Sequence, residues 1–308
     1  MEGGRIISTE PFYAYIKIAE GCSNNCTYCA IPSIRGKYRS RRMEDIVKEA
    51  RWLAENGVTE LVVVAQDTTR YGEDIYGKSM LPELLTALCE IDGFKWIRTL
   101  YCYPERITDE LLDVIAKEDK LVKYLDMPIQ HCDKNILKRM NRHGDRETLT
   151  ALIKKIREKI PNVTLRTTLI TGFPGETKEQ FEELCEFVKE IRFERLGCFA
   201  YSPEEGTPAE KFEDQVPLKD RERRAEIIME EQMIISDSFN EAALDSEVEV
   251  VCEGFDRYAE CYYGRSQADA PEIDGKIFFL SEDKVRVGEY VKVKIDDTMD
   301  YDLIGSKM

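Results

Sequence analysis

Residues 21–32 of this chain read GCSNNCTYCAIP and place three cysteines, Cys22, Cys26 and Cys29, within eight positions. An apolar run over residues 12–19, with the composition of a β-strand, directly precedes them. Three thiolates this close in the chain suit three corners of an iron–sulfur cluster, which usually takes four cysteine ligands. Because the next cysteine lies far along the chain, we expect one iron to stay free for a further ligand. A zinc site with a distant fourth ligand is the alternative.

The composition narrows the class of protein. The chain has 308 residues, 43% of them hydrophobic, which is enough for the core of one or two domains. Its other cysteines stand singly and no stretch approaches the ~20 apolar residues of a membrane span, so we expect a cytoplasmic protein with reduced thiols. The net charge of −16 argues against strong nucleic-acid binding, which needs Lys and Arg at the phosphates. It suits a basic protein partner, or it serves solubility alone.

Strand-like and helix-like segments alternate from residue 12 to residue 201. The predicted strands are 12–19, 60–65, 97–102, 124–130, 164–171 and 196–201. Residues 61–65 are continuously apolar, as in a parallel strand that is buried on both faces. The helix expected after the fifth strand opens with the capping-box pair Thr177 and Gln180. Six such units predict an α/β fold, an open partial (β/α)6 barrel that falls short of the eight units of a closed one.

The pattern changes in the last third of the chain. Residues 202–217 carry three prolines and five acidic side chains and are typical of a linker, and a helical stretch follows over residues 218–243. From residue 248 onward, apolar residues alternate with polar ones and glycines mark the turns. This pattern predicts a small antiparallel β-barrel. We therefore expect a first domain over residues 1–241 and a second over residues 242–308.

The spacing of Cys22, Cys26 and Cys29, with the aromatic Tyr28 before the last cysteine, resembles the signature of the radical SAM superfamily. The resemblance implies a 4Fe-4S cluster held by these cysteines, with an open iron that binds S-adenosylmethionine. One electron then cleaves the cofactor and releases a 5′-deoxyadenosyl radical, while the protein positions the groups and excludes water. Tyr28 is expected against the cofactor, and no side chain is assigned a catalytic role.

Segments that end other predicted strands supply further candidate cofactor contacts by the same resemblance. Gln66 follows the second strand, where relatives contact the amino group of the methionine moiety, although their glycine-rich motif is absent here. Gln130 ends the fourth strand. Ile170 is expected on the adenine ring and Gly172 is expected to let the backbone approach the adenosine, with a plain strand-to-helix turn as the alternative. His131 is expected to be a hydrogen-bonded structural residue.

The whole chain is similar to one branch of the superfamily, the methylthiotransferases, through residues 128–142, 171–177 and 201–211. In that branch a TRAM domain, which residues 242–308 fit, follows the radical SAM barrel. RimO-type members modify the β-carbon of an aspartate in small-subunit ribosomal protein S-twelve, and MiaB-type members modify an isopentenylated adenosine of tRNA. Residues 242–308 carry 16 acidic and 8 basic side chains, a net charge of −8, which favours the basic ribosomal protein over tRNA.

One feature departs from this branch. Methylthiotransferases begin with a further domain whose three cysteines hold a second 4Fe-4S cluster for sulfur chemistry, whereas only 21 residues precede Cys22 here. We therefore expect a form that lacks that domain, binds the first cluster and fails at sulfur insertion. A non-enzymatic module, with a zinc-stapled barrel and an oligonucleotide-binding tail, is the remaining hypothesis. The electron donor is unknown from the sequence.

Overall fold

The computed structural model describes residues 6–308. The strands are β1 Tyr13–Lys17, β2 Ala19–Glu20, β3 Arg39–Ser40, β4 Glu60–Val64, β5 Trp96–Thr99, β6 Tyr124–Asp126, β7 Thr164–Thr171, β8 Arg195–Ala200, β9 Glu247–Asp256, β10 Cys261–Arg265, β11 Ile277–Leu280, β12 Tyr290–Met299 and β13 Asp302–Lys307. The helices are α1 Ile31–Arg35, α2 Met43–Glu55, α3 Glu73–Tyr76, α4 Leu81–Cys89, α5 Asp109–Lys117, α6 Lys134–Arg139, α7 Arg146–Lys159, α8 Lys178–Ile191 and α9 Leu218–Ala242. Within residues 6–308, no helix has the length and apolar composition needed to cross a membrane.

Six parallel strands form the first unit, in two groups ordered β1-β4-β5 and β6-β7-β8. The groups are joined where Ile97 in β5 forms a parallel bridge with Leu121, and where the Cys102 N–H donates to the Asp126 carbonyl at 2.9 Å. The six parallel strands are therefore arranged around the barrel in the same order as along the chain. This arrangement confirms the predicted open (β/α)6 barrel.

Helices cover the outside of this barrel. Successive strand residues point to opposite faces, so one face of each strand packs on the helices and the other faces the inside of the barrel. In β4, Leu61 and Val63 pack in the outer core with the helices, whereas Val62 belongs to the core inside the barrel. The predicted capping box is confirmed at the start of α8. There the Thr177 hydroxyl accepts from the Gln180 N–H at 3.3 Å, and the Gln180 side chain accepts from the Thr177 N–H at 2.9 Å.

The C-terminal strands close into the predicted small barrel, in the order β10-β11-β13-β12-β9. One of its five pairings differs from the antiparallel expectation, because β11 and β13 run parallel. The difference arises because β12 and β13 form a hairpin. Strand β13 therefore lies beside β11 and runs in the same direction as β11. Helix α9 ends at Ala242 and β9 starts at Glu247. The domain boundary between residues 241 and 242 stays a prediction.

A segment of the C-terminal barrel, residues 265–274, plugs one end of the open barrel. Polar side chains from all six parallel strands contact this plug: Tyr15, Glu60, Arg98, Tyr124, Arg166 and Arg195. Glu60, Tyr124 and Arg195 are the first residues of their strands, so the plug covers the amino-terminal end. The carboxyl-terminal end, where α/β barrels carry their active sites, stays open.

Candidate functional site

A glycine fixes the start of the three-cysteine loop, residues 21–30, which follows β2. Gly21 has a φ of +80°, and a Cβ at this position would collide with the backbone of Lys37. The neighbouring Cys22 N–H donates to the Gly36 carbonyl at 3.1 Å. Any larger residue would separate these two backbone segments, so the close approach requires glycine.

Residues at the end of α6 hold the rest of the loop. The Thr27 hydroxyl donates to the Arg139 carbonyl at 2.8 Å. The Asn141 side-chain amide donates to the carbonyls of Asn24 and Asn25, each at 3.1 Å. These bonds satisfy backbone groups that no regular secondary structure would satisfy. The cysteines are therefore positioned by the helix that follows β6.

A cavity of about 370 Å³ opens at the carboxyl-terminal end of the barrel beside this loop. All three cysteines line the cavity. The other residues lining it are Asn24, Tyr28, Ile31, Ala65, Gln66, Tyr101, Cys102, Tyr103, Pro128, Gln130 and Arg142. Most of these residues come from the loop and from segments that directly follow β4, β5 and β6. The fold thus brings together residues that lie more than a hundred positions apart.

The candidate metal donors of the cavity are three thiols. Cys22, Cys26 and Cys29 are free thiols that face one cavity. Burial raises the pKa of the Cys22 and Cys29 thiols, so ligation of iron by these thiols releases protons. The spacing suits a cluster better than the zinc alternative.

Three of the predicted cofactor contacts also lie at this cavity, namely Tyr28, Gln66 and Gln130. The side-chain oxygen Oε1 of Gln66 is buried and has no hydrogen-bond partner among the described residues. A buried acceptor without a partner is costly, so a ligand that donates a hydrogen bond fits here. Gln130 has a φ of +72°, a strained backbone conformation that is common at functional sites.

The two other predicted contacts, Ile170 and Gly172, do not line the cavity. Ile170 and Tyr28 pack against the same small cluster of buried apolar residues, and the Ile170 N–H donates to the Gln130 carbonyl at 2.8 Å. Gly172 has a φ of +67°, and a Cβ there would collide with Arg221 of α9. The packing of Arg221 thus gives Gly172 a structural reason to be glycine, and its predicted approach to an adenosine stays a prediction.

His131 lies in a buried network outside the cavity lining, as the sequence predicted for a structural residue. Its Nδ1 accepts from the Asp133 N–H at 2.9 Å, and its Nε2 lies 3.4 Å from Glu176 Oε2. Glu176 also accepts from the Gly172 N–H at 2.9 Å and from the Arg224 guanidinium. The network ties the end of β7 to α9.

The sequence analysis missed several lining residues, above all Tyr101, Tyr103 and Arg142. The two tyrosines directly follow β5, so their position at a strand end was an available signal. Tyr101 has a φ of +61°, and its N–H donates to the buried Asp126 carboxylate at 2.9 Å. Burial raises the pKa of Tyr103, so its phenol is protonated at neutral pH. Arg142 ends the family-like stretch 128–142, but no pattern in that stretch assigned it a role.

Comparison with family models agrees with this fold and site. A model described as the Radical SAM superfamily matches residues 16–188, and a TRAM domain model matches residues 246–307. Among solved structures, coproporphyrinogen III oxidase HemN from Escherichia coli aligns with a TM-score of 0.52 and 22% identity. That alignment covers 74% of this chain and 52% of HemN, and it reflects the fold alone. The class of protein is thus a radical SAM protein with a C-terminal TRAM domain.

Curated relatives narrow the class further. Ribosomal protein uS12 methylthiotransferase RimO from Clostridium tetani is 52% identical over 304 residues, covering 99% of this chain and 68% of the relative. The RimO protein from Clostridioides difficile is 53% identical over 301 residues, covering 98% of this chain and 68% of the relative. The chain therefore belongs to the RimO family of methylthiotransferases, as the sequence analysis predicted.

Proposed function

We propose that this protein is a radical SAM methylthiotransferase that acts on the β-carbon of an aspartate in ribosomal protein uS12. In this reaction a methylthio group replaces a hydrogen atom. One observation carries the proposal: three cysteines with radical SAM spacing face one cavity in a chain 52% identical to a uS12 methylthiotransferase. We also infer the cytoplasm as the site of action, because ribosomal proteins are made and assembled there.

Cys22, Cys26 and Cys29 would hold a 4Fe-4S cluster at the carboxyl-terminal end of the barrel. When it is bound, this cluster supplies the electron that cleaves S-adenosylmethionine. The chain's own contribution is geometric. The Gly21 turn and the Asn141 amide keep the three thiols on one side of the cavity.

Gln66, Tyr28 and Gln130 are proposed to bind S-adenosylmethionine. The unpartnered Oε1 of Gln66 would accept a hydrogen bond from the cofactor's amino group. Tyr28 would bring an apolar ring face against the cofactor and keep water from the thiols. Ile170 would act indirectly, because it packs against the same apolar cluster as Tyr28 and its N–H donates to the Gln130 carbonyl.

Charge favours a protein substrate over the tRNA substrate of MiaB-type enzymes. The whole chain has a net charge of −16, and residues 242–308 contribute −8 of it. A domain that binds tRNA needs cations at the phosphates, whereas an acidic domain complements a basic ribosomal protein. We therefore propose uS12 as the partner and expect no strong binding to nucleic acid.

Mass spectrometry of uS12 from cells lacking the gene tests this proposal. The target peptide is expected to lose the mass of the methylthio group, and the gene supplied in trans together with a region that encodes the sulfur-inserting N-terminal domain is expected to restore it. A variant with Cys22, Cys26 and Cys29 replaced by alanine serves as the matched control and is expected to restore nothing. Unmodified tRNA adenosines with normal uS12 in the deletion strain would contradict the proposal and identify the tRNA enzyme.

A further inference from the structure

A phenol from outside the cysteine motif contacts one of the three thiols. The Tyr103 hydroxyl lies 2.9 Å from Cys26 Sγ, across 77 positions of sequence. The Tyr103 N–H donates to the Thr69 hydroxyl at 3.2 Å, which fixes the tyrosine backbone behind β5. Cys26 is also the most buried of the three motif cysteines, with 9% of its surface exposed. Tyr103 therefore meets the thiol that water reaches least.

The direction of this hydrogen bond follows from the chemistry of a ligating thiolate. A cysteine that binds iron has lost its proton and can only accept. The phenol is therefore the group of this pair that has a proton to donate. In the loaded site, Tyr103 is therefore the donor and the Cys26 sulfur is the acceptor.

A buried cation strengthens this donor. The guanidinium carbon of Arg142 lies 3.7 Å from the centroid of the Tyr103 ring, and Arg142 is only 6% exposed. Its Nη2 donates to the Pro128 carbonyl at 2.9 Å, while Glu105, the nearest carboxylate, is 3.9 Å from its Nε. The guanidinium of Arg142 is thus held over the ring by its hydrogen bond to the Pro128 carbonyl, and it is only loosely paired with Glu105. A cation over a phenol ring makes the hydroxyl a better donor.

We propose that Tyr103, supported by Arg142, is a positioning residue that makes the cluster held by Cys26 easier to reduce. Hydrogen bonds to cluster sulfurs raise the reduction potential, because they stabilise the extra negative charge of the reduced state. The proposal rests on the cluster assigned under the proposed function. It extends that function to a residue outside the cysteine motif.

The test compares wild type, Tyr103→Phe and Tyr101→Phe after anaerobic reconstitution with iron and sulfide. Tyr101→Phe is the matched control, since it removes a phenol from the same cavity that makes no hydrogen bond to a thiol among the described residues. Iron content and midpoint potential are measured for each protein. Tyr103→Phe is expected to keep its iron and to lower the equilibrium constant for one-electron reduction about tenfold, which is about 59 mV. Tyr101→Phe is expected to match wild type.

A second measurement remains informative if a variant binds less of the cluster. Pulsed EPR of the reduced cluster in H₂O and D₂O detects the exchangeable phenol proton near the sulfur, even at partial occupancy. We expect this proton to contribute to the signal in wild type and Tyr101→Phe, and we expect the signal to weaken in Tyr103→Phe. An unchanged potential or an unchanged proton signal in Tyr103→Phe overturns this inference and leaves the proposed function intact. A wild-type protein that never binds iron overturns both.

Discussion

Arg265 in β10 binds the carboxylate of Glu60, the first residue of β4, and both side chains are buried. Arg98 binds the other oxygen of the same carboxylate, with Nε 3.1 Å from Glu60 Oε1. Arg265 also donates to Glu253 at 2.7 Å. The carboxylate of Glu60 therefore joins the parallel barrel to the C-terminal barrel in a setting that excludes water.

Removal of one member of this buried network should be costly. Arg265→Met keeps much of the side-chain volume but leaves the carboxylates with fewer partners, so we expect the free energy of unfolding to fall by about 3–5 kcal/mol. Arg223→Met, which breaks exposed ion pairs of α9, is the control and should change it by at most about 0.5 kcal/mol. Denaturant unfolding gives both values. Equal losses for the two variants would contradict the role of the network.

Iron binding should depend on the three motif cysteines together. Replacement of Cys22, Cys26 and Cys29 by alanine removes the ligands that line the cavity, so we expect no iron after anaerobic reconstitution. Cys185→Ala removes a single cysteine of α8 and should leave the iron content unchanged. Chemical iron analysis and visible absorbance give the result. Iron retained by the triple variant would rule out these ligands.

Asn141 should control how firmly the loop holds its iron. Asn141→Ala loses the two hydrogen bonds to the loop carbonyls and places alanine at a φ of +56°, so we expect faster iron release to a chelator. Asn162→Ala has a similar backbone cost at a φ of +60°, away from the cavity. The control should lose comparable stability but release iron at the wild-type rate. Equal release rates would show that the loop needs no such support.

Glycine at position 172 should matter for packing more than for backbone freedom. Gly172→Ala adds a methyl group that collides with Arg221, whereas Gly77→Ala adds one where no atom lies within 4 Å. Both positions have positive φ, so each carries a backbone cost of about 1–2 kcal/mol. We expect Gly172→Ala to lower the free energy of unfolding clearly more than Gly77→Ala. Matching losses would show that α9 yields to the methyl group.

The Cys185 thiol should react slowly at pH 8. Burial raises its pKa from 9.0 to about 11, which lowers the thiolate fraction at pH 8 about 100-fold. Because the folded state disfavours the charged form, alkylation by iodoacetamide should speed up about tenfold per pH unit from pH 8 to pH 10. Peptide mapping follows the site, and protein unfolded in urea is the control. Fast alkylation at pH 8 in folded protein would contradict the shift.

The local signals in the sequence were sufficient for the parts of the fold that depend on neighbouring residues. The apolar run at residues 61–65 predicted a buried strand, and the Thr177 and Gln180 pair predicted a helix start, because strand and helix periods act over a few positions. The same holds for the spacing of Cys22, Cys26 and Cys29. Motif spacing is a local property, so it can be read from the sequence without knowledge of the fold.

What required the tertiary structure is the set of contacts between distant segments. Tyr103 meets Cys26, Arg142 stacks on Tyr103, and Glu60 meets Arg265 only because the chain returns to the same place after many residues. Gly172 lies against Arg221 of α9 for the same reason. Periodicity fixes which face of an element is apolar, but packing of whole elements decides which side chains meet across it. The spacing of the three predicted cysteine ligands could therefore be read from the sequence, while the groups that surround them became visible only in the folded chain.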